Sequence, residues 1–269
     1  MEIHKDFNRA IDYVRYNLIN NSYSIKTEKW QGVELKWEMR ETLNTSFSVA
    51  MDWPIEKLVA DIKPNLPWAD IHFTERVSSI PLNPGESYKS WPFYKMDKDM
   101  RNVEGKLFSH TYMERFWPKY ANKSYMGDTE LIKKHGIMAT NGIRYKYGDL
   151  NDLVELLKRE PYTRQAFLPI FFPEDTGAVH GGRIPCSIGY HFIRRNNLMH
   201  VVYYIRSCDY LRHFRDDIYL CVRLVDWILD KLTMGNSSWM KVRKGTYTMH
   251  ITSLHIFENE YELVKRYNK

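Results

Sequence analysis

Residues 185–217 read PCSIGYHFIRRNNLMHVVYYIRSCDYLRHFRDD, and this stretch decides the fold. Its aromatic and β-branched residues predict two strands, over residues 184–193 and 198–205. The polar run RRNN at residues 194–197 predicts the turn between them. Such a hairpin would bring Cys186, near the start of the first strand, close to Arg206, which follows the second.

Helix and strand patterns continue on both sides of this hairpin. Downstream, the apolar spacing predicts a helix over residues 216–232, and residues 246–257 have strand character. Upstream, Asp149 is a candidate N-cap for a helix that ends near Pro161. A strand over residues 166–172 is predicted next.

The N-terminal part predicts further helices and strands before a less regular stretch. A helix is predicted over residues 7–18, and the polar run NNS at residues 20–22 ends it. Two strands over residues 23–51 around a turn at Gln31 and Gly32, a helix over residues 54–62 that begins at Pro54, and a helix after Pro67 are predicted next. Residues 80–145 predict long loops and short helices. No repeat or linker interrupts the chain, so we expect one α+β domain over residues 1–269.

The composition fits a globular protein with a well-buried core, because 43% of the 269 residues are apolar. The three cysteines, Cys186, Cys208 and Cys221, form no CxxC pair, so neither a disulfide framework nor a metal site is predicted. No apolar run is long enough to cross a bilayer, and the opening MEIHKD lacks the layout of a secretory signal. We therefore expect a cytosolic protein without a membrane partner.

The net charge of +6 fits nucleic acid and an enzyme with anionic substrates equally well. Basic residues are spread along the chain and interrupted by Asp and Glu, whereas a nucleic-acid surface usually concentrates them. Nucleic-acid binding is therefore the secondary interpretation.

Cys186 is a candidate nucleophile, because a nearby cation lowers the pKa of a thiol and makes it reactive near neutral pH. Arg206 would be that cation if the hairpin forms. The alternative is a buried structural cysteine, which is the more frequent role of a free cysteine. Proximity alone does not decide between the two.

The motifs around these residues resemble those of thymidylate synthases. Pro185-Cys186 and RSCD at residues 206–209 are similar, in order and spacing, to that family's nucleophile and phosphate-binding motifs. PYTRQ at residues 161–165 resembles its D-S-R-R segment, and SLHIF at residues 253–257 resembles its ribose-contacting H-x-Y strand. The resemblance covers residues 150–265 well and the remainder in places.

The resemblance implies a thymidylate synthase-like fold, with a large mixed bent sheet packed by helices and a homodimer formed through a sheet face. It also implies that the Cys186 thiolate adds to C6 of a pyrimidine nucleotide, so that C5 attacks the one-carbon unit of 5,10-methylenetetrahydrofolate. Arg206 and Ser207 would hold the 5′-phosphate, with Arg164 supplied across the homodimer interface, because a guanidinium fork suits phosphate. The alternative for Arg164 is a solvated arginine at a helix end.

Asp217 departs from the thymidylate synthase pattern. Counted from Arg206, it replaces the Asn that hydrogen-bonds O4 and N3–H of uracil, and FRDD at residues 214–217 resembles the F-R-N-D run of phage deoxycytidylate (dCMP) hydroxymethylases. A carboxylate accepts from the 4-amino group of cytosine but leaves uracil O4 without a donor, which costs about 1–3 kcal/mol. Asp217 therefore favours dCMP. The alternative is a helix cap, a role that Asp216 could also fill.

Hydroxymethylation ends when the methylene on C5 takes water rather than a hydride. The family organises this water with an acidic residue on an early helix, and WADIHF at residues 68–73 resembles that E-L-x-W-type segment. Asp70 is the candidate acidic residue, and Glu75 is the alternative if the register is shifted. His72 either joins this polar network or is a structural hydrogen-bonding residue.

Other departures affect substrate contacts. His191 stands where the family has Gln, five positions after the nucleophile, and can still donate to a ligand. Asp209 completes the R-S-x-D motif as a substrate-binding residue. Phe257 replaces the ribose-contacting Tyr, so His255 would carry the 3′-hydroxyl contact, and CMP is an alternative substrate. The R-T-G-T-G-T-like phosphate loop of the family is not evident in this sequence. The terminal RYNK does not match the family's hydrophobic lid, so the way in which the site closes over phosphate and folate must differ.

Three readings of function remain beside dCMP hydroxymethylation. The first is C5 methylation of dUMP or dCMP, and the second is hydroxymethylation of dUMP or CMP. The third, from a different class, is a non-catalytic RNA-binding protein that kept the fold. The composition and the absence of a targeting signal suit a phage-infected or bacterial cytosol.

Overall fold

The computed structural model of this protein describes residues 3–30, 33–34, 37–93, 102–103, 107–121, 147–178, 183–234 and 236–266. The chain divides into two units. The first is Met1–Asn65 together with Cys186–Lys269, and the second is Leu66–Pro185. The expectation of one domain over the whole chain stays a prediction.

Both units contain helices and strands within the described residues. The helices are α1 (Phe7–Asn21), α2 (Ile55–Ile62), α3 (Trp68–Val77), α4 (Tyr112–Phe116), α5 (Leu150–Arg159), α6 (Phe214–Thr233) and α7 (Tyr261–Arg266). The strands are β1 (Ile3–His4), β2 (Tyr23–Ile25), β3 (Lys29–Trp30), β4 (Val33–Glu34), β5 (Met39–Ala50), β6 (Asn102–Val103), β7 (Leu107–Phe108), β8 (Phe167–Pro169), β9 (Ser187–Arg195), β10 (Leu198–Asp209) and β11 (Arg243–Phe257). Short 3-10 helices include Glu86–Ser90 and Glu258–Glu260.

A large mixed sheet forms the centre of the first unit. Its strands follow the order β1-β5-β11-β10-β9, and β2 also pairs with β5. β10 and β11 run parallel, whereas β9 with β10 and β5 with β11 run antiparallel. A parallel pair needs a crossover connection, which α6 provides while it packs against both strands. The first turn of α6 therefore lies close in sequence to the end of β10.

The core of the first unit lies where α1 and α6 cover the sheet. α1 begins after Asp6, whose carboxylate accepts from the Arg9 N–H at 3.0 Å, and its apolar stripe is buried. Phe47 on β5 meets Phe214 of α6 edge-on, with ring centroids 6.0 Å apart. The predicted helices around residues 7–18, 54–62 and 216–232 are confirmed, because their apolar spacing matches a buried face.

Two strand predictions need correction. The described residues between 23 and 51 form four strands, β2 to β5, rather than two, and the predicted turn at Gln31 and Gly32 lies outside the described residues. The strand predicted over residues 166–172 is shortened to Phe167–Pro169. Proline offers no N–H to a ladder, and the N–H of Phe172 is donated to Asp175 at 2.8 Å instead.

The β9–β10 turn is also tighter than predicted. Arg194 and Arg195 belong to β9, so the turn is reduced to Asn196 and Asn197. Asn196 has a φ of 53°, a conformation that asparagine tolerates better than most residues.

In the second unit, helix caps follow the sequence closely. Asp149 accepts from the Asp152 N–H at 3.0 Å, and Asp152 accepts from the Asp149 N–H at 2.8 Å, so a reciprocal capping box begins α5. α3 begins after Pro67, as predicted. The described parts of residues 80–145 hold short helices, as predicted, and also the paired strands β6 and β7, which were not predicted. Among the described residues, no helix is long and apolar enough to cross a membrane.

Candidate functional site

The β9–β10 hairpin places Cys186 beside Arg206. The strands pair with Ser187 opposite Ile205, and the Arg206 N–H donates to the Cys186 carbonyl oxygen at 2.9 Å. Cys186 is half-buried. The predicted proximity is confirmed, while the catalytic role of Cys186 stays a prediction.

Cys208 lies at the end of β10 and contacts Asp217. Its sulfur lies 3.9 Å from Oδ2 of Asp217 and also 3.9 Å from the Asp209 carbonyl oxygen, so the thiol can donate to either, and its side chain is 1% exposed. Burial raises the pKa of the Cys208 thiol well above its ordinary value, and Asp217, Asp209 and Cys186 add to the rise. Cys208 is therefore a neutral donor that lies within electrostatic reach of both Cys186 and Asp217.

Asp209 is held by groups of the protein itself. The N–H groups of Leu211 and Arg212 donate to Oδ1 at 3.0 Å each, and the Arg212 guanidinium donates to Oδ2 at 2.9 Å. The same guanidinium donates to Glu260 at 3.0 Å. Burial raises the pKa of Asp209, although His255 and Arg212 oppose the rise. Substrate binding by Asp209 stays a prediction, and these contacts give the residue a structural role in addition.

His255 has a buried nitrogen that no described group engages. The residue lies opposite Asp209 in the β10–β11 pair and is 6% exposed. Nε2 is buried without a hydrogen-bond partner among the described residues. Burial lowers the pKa of the imidazole, although Asp209 and Glu41 oppose this. An unsatisfied buried group costs about 1–3 kcal/mol, so a neutral imidazole held in this way is a candidate ligand contact.

Ser207, His191 and Phe257 occupy different surroundings. Ser207 is half-buried and lies opposite Ser253 in β11. His191 lies on the sheet face opposite the buried Tyr190 and Phe192 of the same strand. The Phe257 ring lies under the Arg212 guanidinium, with 4.8 Å between the guanidinium carbon and the ring centroid, a contact that an aromatic residue at this position provides.

The first turn of α6 presents two adjacent carboxylates with different roles. Asp216 accepts from both the backbone N–H and the side-chain amide of Asn65, each at 2.8 Å. The N-cap is His213, which makes no side-chain cap bond, so the suggestion that Asp216 caps the helix is wrong. Asp217 is half-buried, and its N–H joins the helix by donating to the His213 carbonyl oxygen at 2.8 Å.

In the second unit, α3 carries both acidic candidates. Asp70 is half-buried in the first turn. Glu75 accepts from the Ser87 N–H at 3.0 Å and from the Ser87 hydroxyl, which also bonds Nδ1 of His72 at 2.8 Å. His72 is 2% exposed and stacks on Trp68. His72 and Glu75 thus form one structural network with Ser87, which favours Asp70 over Glu75 as the catalytic candidate.

Arg164 also belongs to the second unit and lies on its surface. It follows α5 in the segment that resembles D-S-R-R, and its side chain is exposed. Exposure is a requirement for a residue that is to reach a second copy of the chain.

Sequence reasoning did not single out Cys208, Arg212 or Glu260 as parts of this region. The Asp209-x-x-Arg212 spacing is the one local signal that was available, because residues three apart in a turn can pair. Glu260 is 48 residues from Arg212, and no pattern connects them. Within the described ranges, no cluster of His, Cys, Asp or Glu could hold a metal ion.

Comparison with known proteins identifies the fold. No protein-family model matches the chain. No curated protein matches it. Among solved structures, the chain is similar to the thermostable thymidylate synthase A from Bacillus subtilis, with a TM-score of 0.66 and 13% identity over 97% of this chain and 83% of that one. The predicted α+β fold, with a large mixed sheet packed by helices, is confirmed as thymidylate synthase-like, and the sheet face as a dimer interface stays a prediction.

Proposed function

Because the chain has a thymidylate synthase-like fold, we propose that it transfers a one-carbon unit from 5,10-methylenetetrahydrofolate to C5 of a pyrimidine nucleoside monophosphate, with dCMP converted to 5-hydroxymethyl-dCMP. One observation carries this proposal: the Arg206 N–H donates to the Cys186 carbonyl oxygen at 2.9 Å, and two residues further along β10 the Cys208 sulfur lies 3.9 Å from Oδ2 of Asp217. The candidate nucleophile and the candidate base-reading group are therefore at the same end of β10.

Cys186 is the nucleophile because it is the cysteine that a substrate can reach. Cys208 and Cys221 are each 1% exposed, whereas Cys186 is half-buried. Burial also holds Cys208 in its neutral form, and a thiolate is the reactive species. Arg206, hydrogen-bonded through its backbone to Cys186, supplies positive charge beside the nucleophile and, with Ser207, binds the 5′-phosphate.

The reaction balances as an addition, a transfer and a hydration. The Cys186 sulfur forms a bond to C6, which makes C5 nucleophilic, and C5 attacks the one-carbon unit of the folate. Loss of the C5 proton and cleavage of the bond between the one-carbon unit and the folate nitrogen then release tetrahydrofolate and leave a methylene on C5. Water then adds to the methylene on C5, and elimination of the Cys186 thiolate restores the ring. No hydride is consumed, so tetrahydrofolate and not dihydrofolate is the second product. By the family resemblance we assign to Asp70 the placement of this water.

Substrate recognition divides between Asp217 and His255. The Asp217 carboxylate accepts from the 4-amino group of cytosine, a donor that uracil lacks. Nε2 of His255 is the buried unpartnered atom described above, and it fits a sugar hydroxyl. His191 and Asp209 complete the proposed substrate-binding residues.

Self-association is proposed through the outward face of the sheet. Across β5, β11, β10 and β9, one row of this face carries Ser48, Thr248, Val202 and His191. A row of this kind suits the contact of one sheet with a second copy, because it contains no lysine or carboxylate that has to be desolvated. Arg164 of the second copy then contributes to the phosphate site.

The test follows tritium release from C5-labelled dCMP in the presence of 5,10-methylenetetrahydrofolate. We expect release with formation of 5-hydroxymethyl-dCMP and tetrahydrofolate. Cys186→Ala abolishes release, and Cys221→Ala, which removes a buried cysteine, retains it. A 5-methyl product with dihydrofolate would establish methylation instead. Release that survives Cys186→Ala would remove the nucleophile assignment.

The base-reading role has its own test. Asp217→Asn replaces the carboxylate by an amide that offers one donor and one acceptor, which matches O4 and N3–H of uracil. The preference should therefore move from dCMP toward dUMP. An unchanged ratio of the two kcat/KM values would show that Asp217 does not read the base.

A further inference from the structure

Four polar residues form one row across the end of the large sheet. Tyr23 of β2 lies opposite Glu41 of β5. Glu41 in turn lies opposite His255 of β11, and His255 lies opposite Asp209 of β10. Directly opposite residues project from the same face of a sheet, with Cβ atoms about 4.5–5.5 Å apart in an antiparallel pair. His255 is therefore flanked by two carboxylates, Glu41 on one side and Asp209 on the other.

The two carboxylates differ in how their own partners occupy them. Asp209 accepts from two backbone N–H groups and from the Arg212 guanidinium. Glu41 is half-buried and accepts from two hydroxyl groups, that of Tyr23 at 2.9 Å to Oε2 and that of Ser253 to Oε1. Each carboxylate oxygen carries about two lone pairs, so each oxygen of Glu41 can accept one further hydrogen bond.

His255 makes no hydrogen bond to either carboxylate. Its Nε2 is buried and has no hydrogen-bond partner among the described residues. Burial lowers the pKa of the imidazole and so keeps it neutral, although Asp209 and then Glu41 oppose this. An unpaired buried nitrogen is unfavourable, and a small polar group that reaches Nε2 relieves this cost. Such a group has the Glu41 carboxylate as its next neighbour in the row.

We propose that Glu41 is a further substrate-binding residue: the sugar 3′-hydroxyl accepts a hydrogen bond from Nε2 of His255 and donates one to the Glu41 carboxylate. This inference rests on the proposed function and deepens it. A hydroxyl carries one donor and two acceptor sites, so this arrangement uses its proton and one of its lone pairs. Asp209 is the less suitable acceptor, because it is 3% exposed and already binds three donors.

Glu41 supplies a contact that Phe257 cannot make. Phe257 lies two residues after His255 on β11, has no hydroxyl, and places its ring under the Arg212 guanidinium. A carboxylate that accepts from a hydroxyl makes a charge-assisted hydrogen bond, which is about twice as strong as a neutral one. The hydroxyls of Tyr23 and Ser253 hold the carboxylate before the nucleotide binds, which reduces the cost of ordering it.

The test measures the affinities of dCMP and of 2′,3′-dideoxy-CMP, which lacks the 3′-hydroxyl, by isothermal titration calorimetry. Wild type should bind dCMP about tenfold more tightly, the effect of one hydrogen bond to a charged group. In Glu41→Gln this ratio should fall about fivefold, because an amide oxygen is a weaker acceptor than a carboxylate. Glu258→Gln is the matched control and should keep the wild-type ratio, because Glu258 is also half-buried but lies outside the row and pairs with Arg40 at 2.9 Å.

A second measurement uses the wild-type protein alone, so it does not depend on how a variant folds. In 3′-amino-2′,3′-dideoxy-CMP an amino group replaces the hydroxyl, and in its protonated form this group offers donors but no acceptor. It suits the Glu41 carboxylate, and a neutral imidazole can present Nε2 to it as an acceptor. We expect this analogue to bind more tightly than the dideoxy analogue.

The outcomes separate this inference from the proposed function. A ratio that Glu41→Gln leaves unchanged, an equal fall in Glu258→Gln, or an amino analogue that binds no more tightly than the dideoxy analogue overturns the inference. Wild-type protein that binds no dCMP refutes the proposed function, whereas dCMP binding that does not depend on Glu41 refutes only the role of Glu41.

Discussion

Arg212→Met tests how far the end of β10 depends on one buried ion pair. The guanidinium donates to Asp209 at 2.9 Å, and the two side chains are 6% and 2% exposed. Glu260 is its second carboxylate partner. Removal of one partner leaves an uncompensated buried charge on Asp209, which typically costs about 3–5 kcal/mol. We expect a loss of this size in the free energy of unfolding at neutral pH.

This loss should shrink in acid. Burial already raises the pKa of Asp209 above 3.8, and Arg212 opposes the rise, so the variant raises the folded-state pKa further. A carboxyl group with a raised folded pKa binds its proton in the folded protein before the unfolded chain does. The stability of Arg212→Met relative to wild type therefore recovers as the pH falls through that raised pKa toward the unfolded value.

The assay is urea unfolding of both proteins at several pH values, followed by tryptophan fluorescence. Arg243→Met is the matched control, because the Arg243–Asp52 pair has an N–O distance of 2.8 Å but side chains that are 70% and 44% exposed. An exposed pair contributes about 0–1 kcal/mol. Equal losses in the two variants, or a loss in Arg212→Met that does not change with pH, would refute the reasoning.

Two further outcomes are expected. Nδ1 of His200 bonds the Thr246 N–H at 3.1 Å, and burial lowers the pKa of His200 below 6.5. The neutral imidazole contributes stability that is fully present above the pKa of His200 in the unfolded chain and is lost as the pH falls through the lower pKa in the folded protein. Gln does not titrate, so the unfolding midpoint of His200→Gln should fall less than that of wild type between about pH 7 and pH 5. In the second unit, a Cβ at Gly85 would collide with the Glu75 carboxylate, whereas at Gly148 the nearest atom is 3.9 Å away. Thermal unfolding should show Gly85→Ala destabilised by about 1–3 kcal/mol and Gly148→Ala little changed, and equal melting temperatures would contradict this.

The parts of the fold that could be predicted are those with local causes. The capping box of Asp149 and Asp152 spans three residues, so a sequence window contains the whole interaction. The approach of Cys186 to Arg206 follows from one hairpin, which also has a local signal. In both cases the residues that interact are close along the chain or are connected by one turn.

The parts that could not be predicted depend on contacts between distant residues. The Asp216 carboxylate binds Asn65, 151 residues away, and this contact withdraws it from the capping role that its position suggests. The places of β1 and β2 likewise follow from where β5 pairs in the sheet, with β2 and β1 on one side of it and β11 on the other. Periodicity describes one element at a time and does not contain these pairings.

The two acidic residues that the family resemblance singles out near the end of β10 differ in what they can offer a ligand. Asp209 already accepts two backbone N–H groups and the Arg212 guanidinium, so a substrate would have to displace or share these bonds. Asp217 is half-buried and meets a neutral, weak donor at one oxygen. Under the proposed function, Asp217 is therefore the candidate base-reading residue, whereas Asp209 keeps the end of β10 in place.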